Sequence, residues 1–345
     1  MEILLIVLLN LFSALTFLPL LKHEHWLVRI WDYPRKQILV LHLPIFIGAV
    51  LLLPFENYYL TISMGISAAA LIFISTRIFP YTKLKSKQIK SAQSLKNSIS
   101  ILVSNVEMKN SDYQTLCGII KKEKADIVLL LEADEEWQIQ ISEIESIYPF
   151  RHLLPLGNTY GMLLYSKVEF QKPEFRYLVN DDIPSFRANI ELANKQLIHF
   201  YGVHPEPPFP TQSTTTVERD AEILKIGREI ASLDKPVIVA GDLNDVAWSR
   251  TTRLFQKVSR LLDPRIGRGF YSTFHARHFW ARWPLDHIFV SKHFEVIEMK
   301  RLPYMGSDHF PIKIDVSLNY SQQNESVEAI NLEEKMEVKE KIEKA

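Results

Sequence analysis

Cysteine is all but absent: Cys117 is the only one in 345 residues. One thiol excludes an intrachain disulfide framework and any zinc site built from several thiolates. Cys117 lies in a helix-like stretch (SDYQTLCGIIKKEKAD) and reads as a small buried hydrophobe rather than a reactive thiol. A charge imbalance is also lacking. Lys+Arg and Asp+Glu both number 40, so no overall basic bias points to a nucleic-acid partner. Internal repeats are missing, which excludes a solenoid or a propeller. The overall composition, 47% hydrophobic and 23% charged, averages two unlike parts, because the first eighty residues hold little of the charge.

What the amino end does have is three apolar runs. Residues 3–21 are broken only by Asn10, Ser13, Thr16 and Pro19, and residues 38–55 and 58–76 follow. Each approaches the ~20 residues a helix needs to cross a bilayer, and none shows the polar stripe of an ordinary core helix. His42 and Pro44 make the second run the weakest, and the tight link Glu56-Asn57 predicts a hairpin of the second and third. The first run has neither a basic start nor a small-x-small cleavage site, so it reads as an uncleaved membrane helix. Lys22, Arg29, Arg35 and Lys36 lie between runs one and two; Arg77, Lys83, Lys85, Lys87 and Lys90 follow run three. Three spans put both sets on one side, and the positive-inside rule puts that side in the cytoplasm. The expected division is a membrane anchor of three transmembrane helices (1–80), a basic linker (81–97), a catalytic domain (98–318) and a Glu/Lys-rich tail (319–345). The linker's lysines rest on anionic headgroups or are simply solvated, and the tail is disordered or a solvated helix.

Beyond residue 97 short apolar strands alternate with helix-like stretches. Strand-like runs fall at 98–104, 126–131, 161–165, 188–192, 197–203, 236–240, 286–290 and 312–316, and helical patterns at 113–124 and 217–233. Strands this apolar fit sheets covered on both faces, so two packed sheets flanked by helices is the predicted architecture. The polar residues of interest stand at strand ends. Asn105 follows ISILVS, Glu132 follows DIVLLL, His204 follows LIHFYGV, Asp242 and Asn244 follow PVIVAG, and Asp308 and His309 precede FPIKIDV. Singly, each has a plain reading as a solvated strand end, an Asx turn or a loop cap. Jointly they describe one rim of a rigid scaffold. Glu132, Asp242, Asn244, Asp308 and Asn105 form a hard-oxygen set suited to Mg²⁺ or Mn²⁺. His309 has the chemistry of a general base, Asp286 that of the carboxylate holding its tautomer, and His204 that of a donor to a phosphate oxygen.

Asn105, Leu131-Glu132, Val203-His204, Gly241-Asp242-Leu243-Asn244, Leu285-Asp286-His287 and Ser307-Asp308-His309 occur in an order that resembles the endonuclease/exonuclease/phosphatase superfamily. The chain thus looks similar to DNase I, abasic-site endonucleases, neutral sphingomyelinases and inositol polyphosphate 5-phosphatases over roughly residues 97–318. The resemblance implies an α/β fold, a four-layer αββα sandwich of the DNase I type, here preceded by the three transmembrane helices. It implies that Glu132 binds the metal with Asn105 and Asp308 in support, and that Asp242 orients or activates water. It further implies that Asn244 binds phosphate and that His309 with Asp286 is an acid–base or phosphate-stabilising dyad. GVHPEPP, Arg219-Asp220 and WPLDHIFVS look closer to a bacterial branch with N-terminal membrane helices, which includes proteins linked to glycopeptide-antibiotic resistance; an integral protein of the inner (plasma) membrane is the matching expectation. One departure is Leu131, where the family often has Gln, so a supporting hydrogen bond to the metal site is lost.

Three partner readings stand open for the Arg- and aromatic-rich stretch with Arg250, Arg253, Arg260, Arg265, Arg268, Arg277, Arg282, Phe270, Tyr271, Phe274, Phe279, Trp280 and Trp283. It grips a lipid-linked phosphate beside the bilayer, it is surface and local packing, or it binds single-stranded nucleic acid. The membrane tether favours the lipid-linked phosphate. A non-catalytic phosphate-binding module is the remaining alternative to an enzyme.

Overall fold

A computed structural model describes residues 2–52, 57–209, 212–320 and 324–345. The far end of the second apolar run (53–55) and the link residue Glu56 lie outside these. The amino-terminal helices are α1 (Glu2–Phe17), the single turn α2 (Trp26–Arg29), α3 (Arg35–Leu52) and α4 (Tyr58–Ile78). With their short 3₁₀ extensions, α1, α3 and α4 are long and apolar enough to cross a membrane. They are stitched by small polar groups. Asn10 Nδ2 donates to Ser63 Oγ at 2.8 Å, and the Ser13 and Ser67 hydroxyls meet at 3.1 Å. Ile3, Leu4, Leu41, Leu51, Tyr59 and Ile72 stay exposed on the outside, a collar that water alone would not leave bare.

The sandwich begins with β1 (Ser98–Asn105), α5 (Tyr113–Glu123), β2 (Ile127–Leu131), α6 (Glu135–Gln140), β3 (Phe150–Leu154) and β4 (Met162–Ser166). It continues with β5 (Phe170–Arg176), β6 (Ser185–Glu191), β7 (Leu197–Val203), α7 (Val217–Ala231), β8 (Val237–Asp242) and α8 (Arg250–Ser259). β9 (Asp286–Val290), β10 (Phe294–Arg301), β11 (Ile312–Leu318) and α9 (Leu332–Glu343) complete the chain. One sheet has the order β10-β11-β1-β2-β4-β3 and the other β5-β6-β7-β8-β9. Between them Ile101, Val103, Leu129, Phe186, Phe200, Ile238, Ile288 and Ile314 form a shared core. α5 and Trp137 of α6 cover the outer face of the first sheet through Leu102, Val128 and Leu130; α7 and α8 cover the second through Tyr201, Val239 and Phe289. The layers run helix, sheet, sheet, helix, as expected.

Strand direction explains why the polar residues meet. β1 and β2 are parallel, as are β7 and β8, whereas β11 runs antiparallel to β1 and β9 to β8. The carboxyl ends of the first four and the amino ends of β9 and β11 therefore share one edge. Side chains alternate across a strand. Ile99, Ile101 and Val103 face the inter-sheet core, so Asn105 continues that face; Ile238 and Ala240 lead to Asp242, and Val290 and Ile288 lead back to Asp286. The site is the polar end of the inter-sheet core.

Two segments differ from expectation. The 81–97 stretch is no free tether. Its lysines at 83, 87 and 90 are exposed, but Ile89 is buried in the inter-sheet core, Gln88 Oε1 accepts from Asp263 N, and Ala92 N donates to Val296 O. Leu84, Ile89 and Leu95 scattered among lysines and serines are too little pattern to read, yet the burial of Ile89 contributes on the order of 2 kcal/mol. The tail is neither disordered nor freely solvated over its last part. α9 starts with a capping box at Asn331 and Glu334, buries Val338 against α7 and α8, and sends Lys341 Nζ to Asp220 Oδ2 at 2.8 Å.

Candidate active site

Five side chains form a continuous line across the two sheets. His309 Nδ1 donates to Asp286 Oδ2 at 2.7 Å, and its Nε2 lies 3.6 Å from Asp242 Oδ2. Asn105 Nδ2 donates both to Asp242 Oδ2 (3.1 Å) and to Glu132 Oε1 (2.7 Å). His204 Nε2 stands 4.0 Å from the same Glu132 oxygen. In-register pairing of Asp242 with Asp286 puts those two carboxylates side by side. Asp286 N donates to Thr273 Oγ1, Ser307 Oγ to the Asn105 carbonyl, and His309 N to Ser307 Oγ, so the dyad is fixed from its backbone outward.

Burial sets the electrostatics. It opposes charge on His309, but Asp286 and Asp242 outweigh it and raise the imidazole to about 10. Its two nitrogens face two carboxylates, which favours the protonated ring. His204 goes the other way: burial lowers it to about 4, so it is a neutral donor. Glu132 is raised to about 7, chiefly by burial, with Asp242 and Asp308 adding to the rise and the Asn105 hydrogen bond opposing it. Asp308 is also raised, first by burial and then by Glu107 against the pull of His309.

Two groups of ligands are conceivable for a divalent cation. Donor atoms of Asp242, Asp286 and His309 lie within 4.8 Å of one another. In that cluster the two nitrogens of His309 face Asp286 and Asp242. Glu132 is a half-buried carboxylate near Asp242 and Asp308, with His309 as the nearby positive charge and Asn105 donating to it. Hard-oxygen donors suit Mg²⁺ or Mn²⁺, and Glu132 with Asn105 and Asp308 is the second candidate set. His204 Nδ1 and Asp286 Oδ1 are buried without a partner, the kind of orphan that a bound molecule satisfies.

The loop after β8 is shaped for its work. Gly241 (φ +151°) approaches β7 so closely that a Cβ would lie 1.9 Å from Val203 O. Glu132 and Asn244 adopt left-handed backbone (φ 58° and 49°), which non-glycine residues keep where surroundings over-determine them, commonly at functional positions. Asn244 N donates to Asp242 Oδ1, and one Nδ2 hydrogen goes to Pro205 O, which leaves the other for a phosphate oxygen. Its carbonyl accepts from Arg219 Nη1 at 2.8 Å and from Tyr33 OH at 2.7 Å. Arg219 is paired with Asp220, and Arg265 is buried against Asp263 and His287, whose Nε2 faces Asp245 O.

The structure thus gathers Asn105, Glu132, His204, Asp242, Asp286 and His309, with Asn244 and Asp308 adjoining. Sequence reasoning missed Tyr33, Thr273 and Asp245, and gave Ser307 no role of its own. Ser307 stands in the Ser-Asp-His motif, and its hydroxyl ties β1 to His309; Tyr33 carried no signal, since it lies 211 residues from Asn244. Arg265 leaves the surface reading of the Arg-rich stretch, whereas Arg277, Phe279 and Trp280 remain exposed at the rim.

An αββα sandwich with carboxylates, amides and histidines at one edge is the frame of the metal-dependent phosphoesterases. Residues 102–309 match the model of the endonuclease/exonuclease/phosphatase family, and the chain belongs to that family. Among solved structures it is similar to TDP2 of D. rerio humanized by 14 mutations (17% identity, 64% of this chain and 100% of that one, TM-score 0.53). It is also similar to D. rerio TDP2 complexed with a single-strand DNA product (17% identity, 64% and 100%, TM-score 0.54). An endonuclease/exonuclease/phosphatase from Beutenbergia cavernae is a third (16% identity, 65% and 72%, TM-score 0.52). At these identities the likeness is one of fold. No curated protein sequence matches.

Proposed function

We propose that this chain is a membrane-anchored, Mg²⁺- or Mn²⁺-dependent phosphoesterase that hydrolyses a phosphoester or pyrophosphate of a lipid-linked substrate. The observation that carries the bond type is the line Asp286–His309–Asp242–Asn105–Glu132. A divalent cation held by Glu132, with Asn105 and Asp308 in support, would neutralise charge on the phosphate oxygens. Asp242, at the centre of the line, accepts a hydrogen bond from the attacking water and aims its oxygen at phosphorus. Asn244, through its free N–H, and His204, through Nδ1, donate to phosphate oxygens. The His309 imidazolium stabilises the growing negative charge and gives a proton to the departing oxygen, while Asp286 holds its ring.

The lipid half of the proposal draws support from the anchor's seat. The loop between α1 and α3 packs on the loop that carries Asn244: Tyr33 OH reaches the Asn244 carbonyl, and Trp248 Nε1 donates to Asp32 O at 2.7 Å. Substrate would then be met beside the bilayer. In this reading residues 98–318 are the catalytic unit, and the positive-inside rule applied to the basic loops supports a cytoplasmic position at the inner (plasma) membrane.

The test is hydrolysis by the full chain in phosphatidylcholine nanodiscs with Mg²⁺, Mn²⁺ or EDTA, given a polyprenyl diphosphate, a phospholipid or plasmid DNA. Metal-dependent release of phosphate or headgroup from a lipid is expected. Plasmid nicking without lipid turnover would replace the substrate with nucleic acid. Binding without turnover of any phosphoester would make the chain a phosphate-binding module.

A further inference from the structure

Next to the proposed centre lie three cations that the chemistry above does not use. Arg282 and Arg301 place their guanidinium carbons 5.1 and 4.2 Å from the ring centroid of Phe310, the residue after His309. Lys36, in the first turn of α3, holds its ammonium 5.2 Å from the ring centroid of Phe270 and within electrostatic reach of both guanidiniums. The segment carrying Arg282 is tied to the same helix, since Gln37 Nε2 donates to Trp280 O at 2.8 Å. The polar contacts of the arginines are carbonyls: Arg301 Nη1 donates to Ser272 O and Arg282 Nη2 to Ala276 O. No carboxylate pairs with any of the three among the described residues, and Arg282 Nε is buried without a partner. Burial and the neighbouring Arg282 hold Arg301 below its ordinary value. Three like charges drawn together without a counter-ion repel one another unless an anion joins them.

An apolar groove leads away from this cluster. Leu39 and Leu43 follow Lys36 at helical spacing on α3, and with Leu71, Ile72, Ser75 and Thr76 of α4 and Phe79 just after it they line a mostly apolar trough of about 540 Å³ among the amino-terminal helices. Lys36 lies one helical turn before Leu39.

We infer that Lys36, Arg282 and Arg301 form an anion subsite for the non-reacting phosphate of a lipid diphosphate, whose hydrocarbon chain lies in the α3/α4 groove while its terminal phosphate reaches the Asn244–His204–His309 centre. The inference rests on the phosphoesterase reading and narrows its substrate to a diphosphate. In the step, the water oxygen bonds to the terminal phosphorus as the bridging P–O bond breaks. One water proton passes to the Asp242 carboxylate, and His309 protonates the bridging oxygen. Inorganic phosphate and lipid monophosphate leave. The subsite holds the second phosphate through charge-assisted hydrogen bonds, which a monophosphate forgoes.

The test compares kcat/KM for a polyprenyl diphosphate and for the matching monophosphate, with the full chain in phosphatidylcholine nanodiscs. The variants are Lys36→Gln, Arg282→Gln and Arg301→Gln, with Lys36→Arg as the conservative control. Wild type is expected to prefer the diphosphate, and each Gln variant to reduce that preference roughly tenfold, mainly through KM, with Lys36→Arg retaining most of it. A purely structural role would lower both values in proportion and leave the preference intact, which overturns the subsite. So would a wild type without preference. Turnover of a water-soluble phosphoester with no turnover of either lipid would overturn the lipid reading itself, and the subsite with it.

Discussion

Glu222 sits on α7 with one carboxylate oxygen buried and unpartnered, and burial raises it to about 8 despite the pull of Lys225 and Arg176. Its folded value exceeds its unfolded one, so the protonated form is favoured in the fold. The stabilisation is complete below about pH 4 and is lost as pH rises through about 8, with a slope of up to about 1.4 kcal/mol per pH unit. Glu222→Gln keeps the shape without the charge. Thermal melts between pH 5 and 9 are expected to show wild type weakening with pH while the variant stays flatter; parallel curves would refute the assignment. Gly241→Ala sets a Cβ against Val203 O and is expected to destabilise by at least about 3 kcal/mol, read as a lowered melting temperature or loss of folded protein. At this scale the sequence was informative, because a rim residue that continues an apolar strand stands out. Asn105, Asp242 and Asp286 follow the inward-facing alternation of their strands, and the same alternation aims them at one another. The charge state of His309 was not legible, because it depends on two acids contributed by other strands. Cys117 is buried, with its thiol raised to about 12, chiefly by burial, in keeping with a packing role.

Elements were legible where both faces are covered. β2, β8 and β9 are buried throughout and were found, whereas the edge strands β3, β5 and β10 carry exposed polar residues and were not. Docking of one part on another escaped notice for a related reason: it uses few residues, each with a distant partner. Asp32 is the clearest example. It is buried with Arg29 and Arg35, and its carbonyl receives the Trp248 indole, so this one loop residue organises the seat of the anchor. Asp32→Ala strands two buried guanidiniums and is expected to cost about 3–5 kcal/mol. It should open the 22–36 loop to limited proteolysis and lower activity by displacing Tyr33 from Asn244. Unchanged protection would show that the seat does not depend on Asp32. α9 works from the opposite direction, since Lys341 reaches Asp220, which pairs with Arg219, which donates to the Asn244 carbonyl. Deleting residues 331–345 is expected to reduce kcat more than KM, whereas a solvated tail would be removed without effect.

For the whole molecule, the contacts between the α1–α3 loop and the loop after β8 require both to lie on one side of any membrane the helices cross, as three spans demand. Because Cys117 is buried, introduced cysteines report cleanly. His23→Cys and Lys339→Cys are expected to react with an impermeant maleimide only after cells are opened, and Asn57→Cys in intact cells. The reverse pattern would invert the orientation. Sequence arithmetic supplied three helices long and apolar enough to cross a membrane, and the sandwich, but not the clasp between the amino-terminal helices and the sandwich, since no local pattern encodes a surface shared by residues such as Tyr33 and Asn244, 211 positions apart. The most direct test of the account is phosphoester hydrolysis by wild type, Glu132→Gln and His309→Ala across a Mg²⁺ and Mn²⁺ titration. The account predicts activity that EDTA abolishes and either metal restores. Glu132→Gln should need far more metal or lose the response, and His309→Ala should fall by about 10²–10⁴ at saturating metal. Equal activity in all three proteins, or activity indifferent to EDTA, would contradict it.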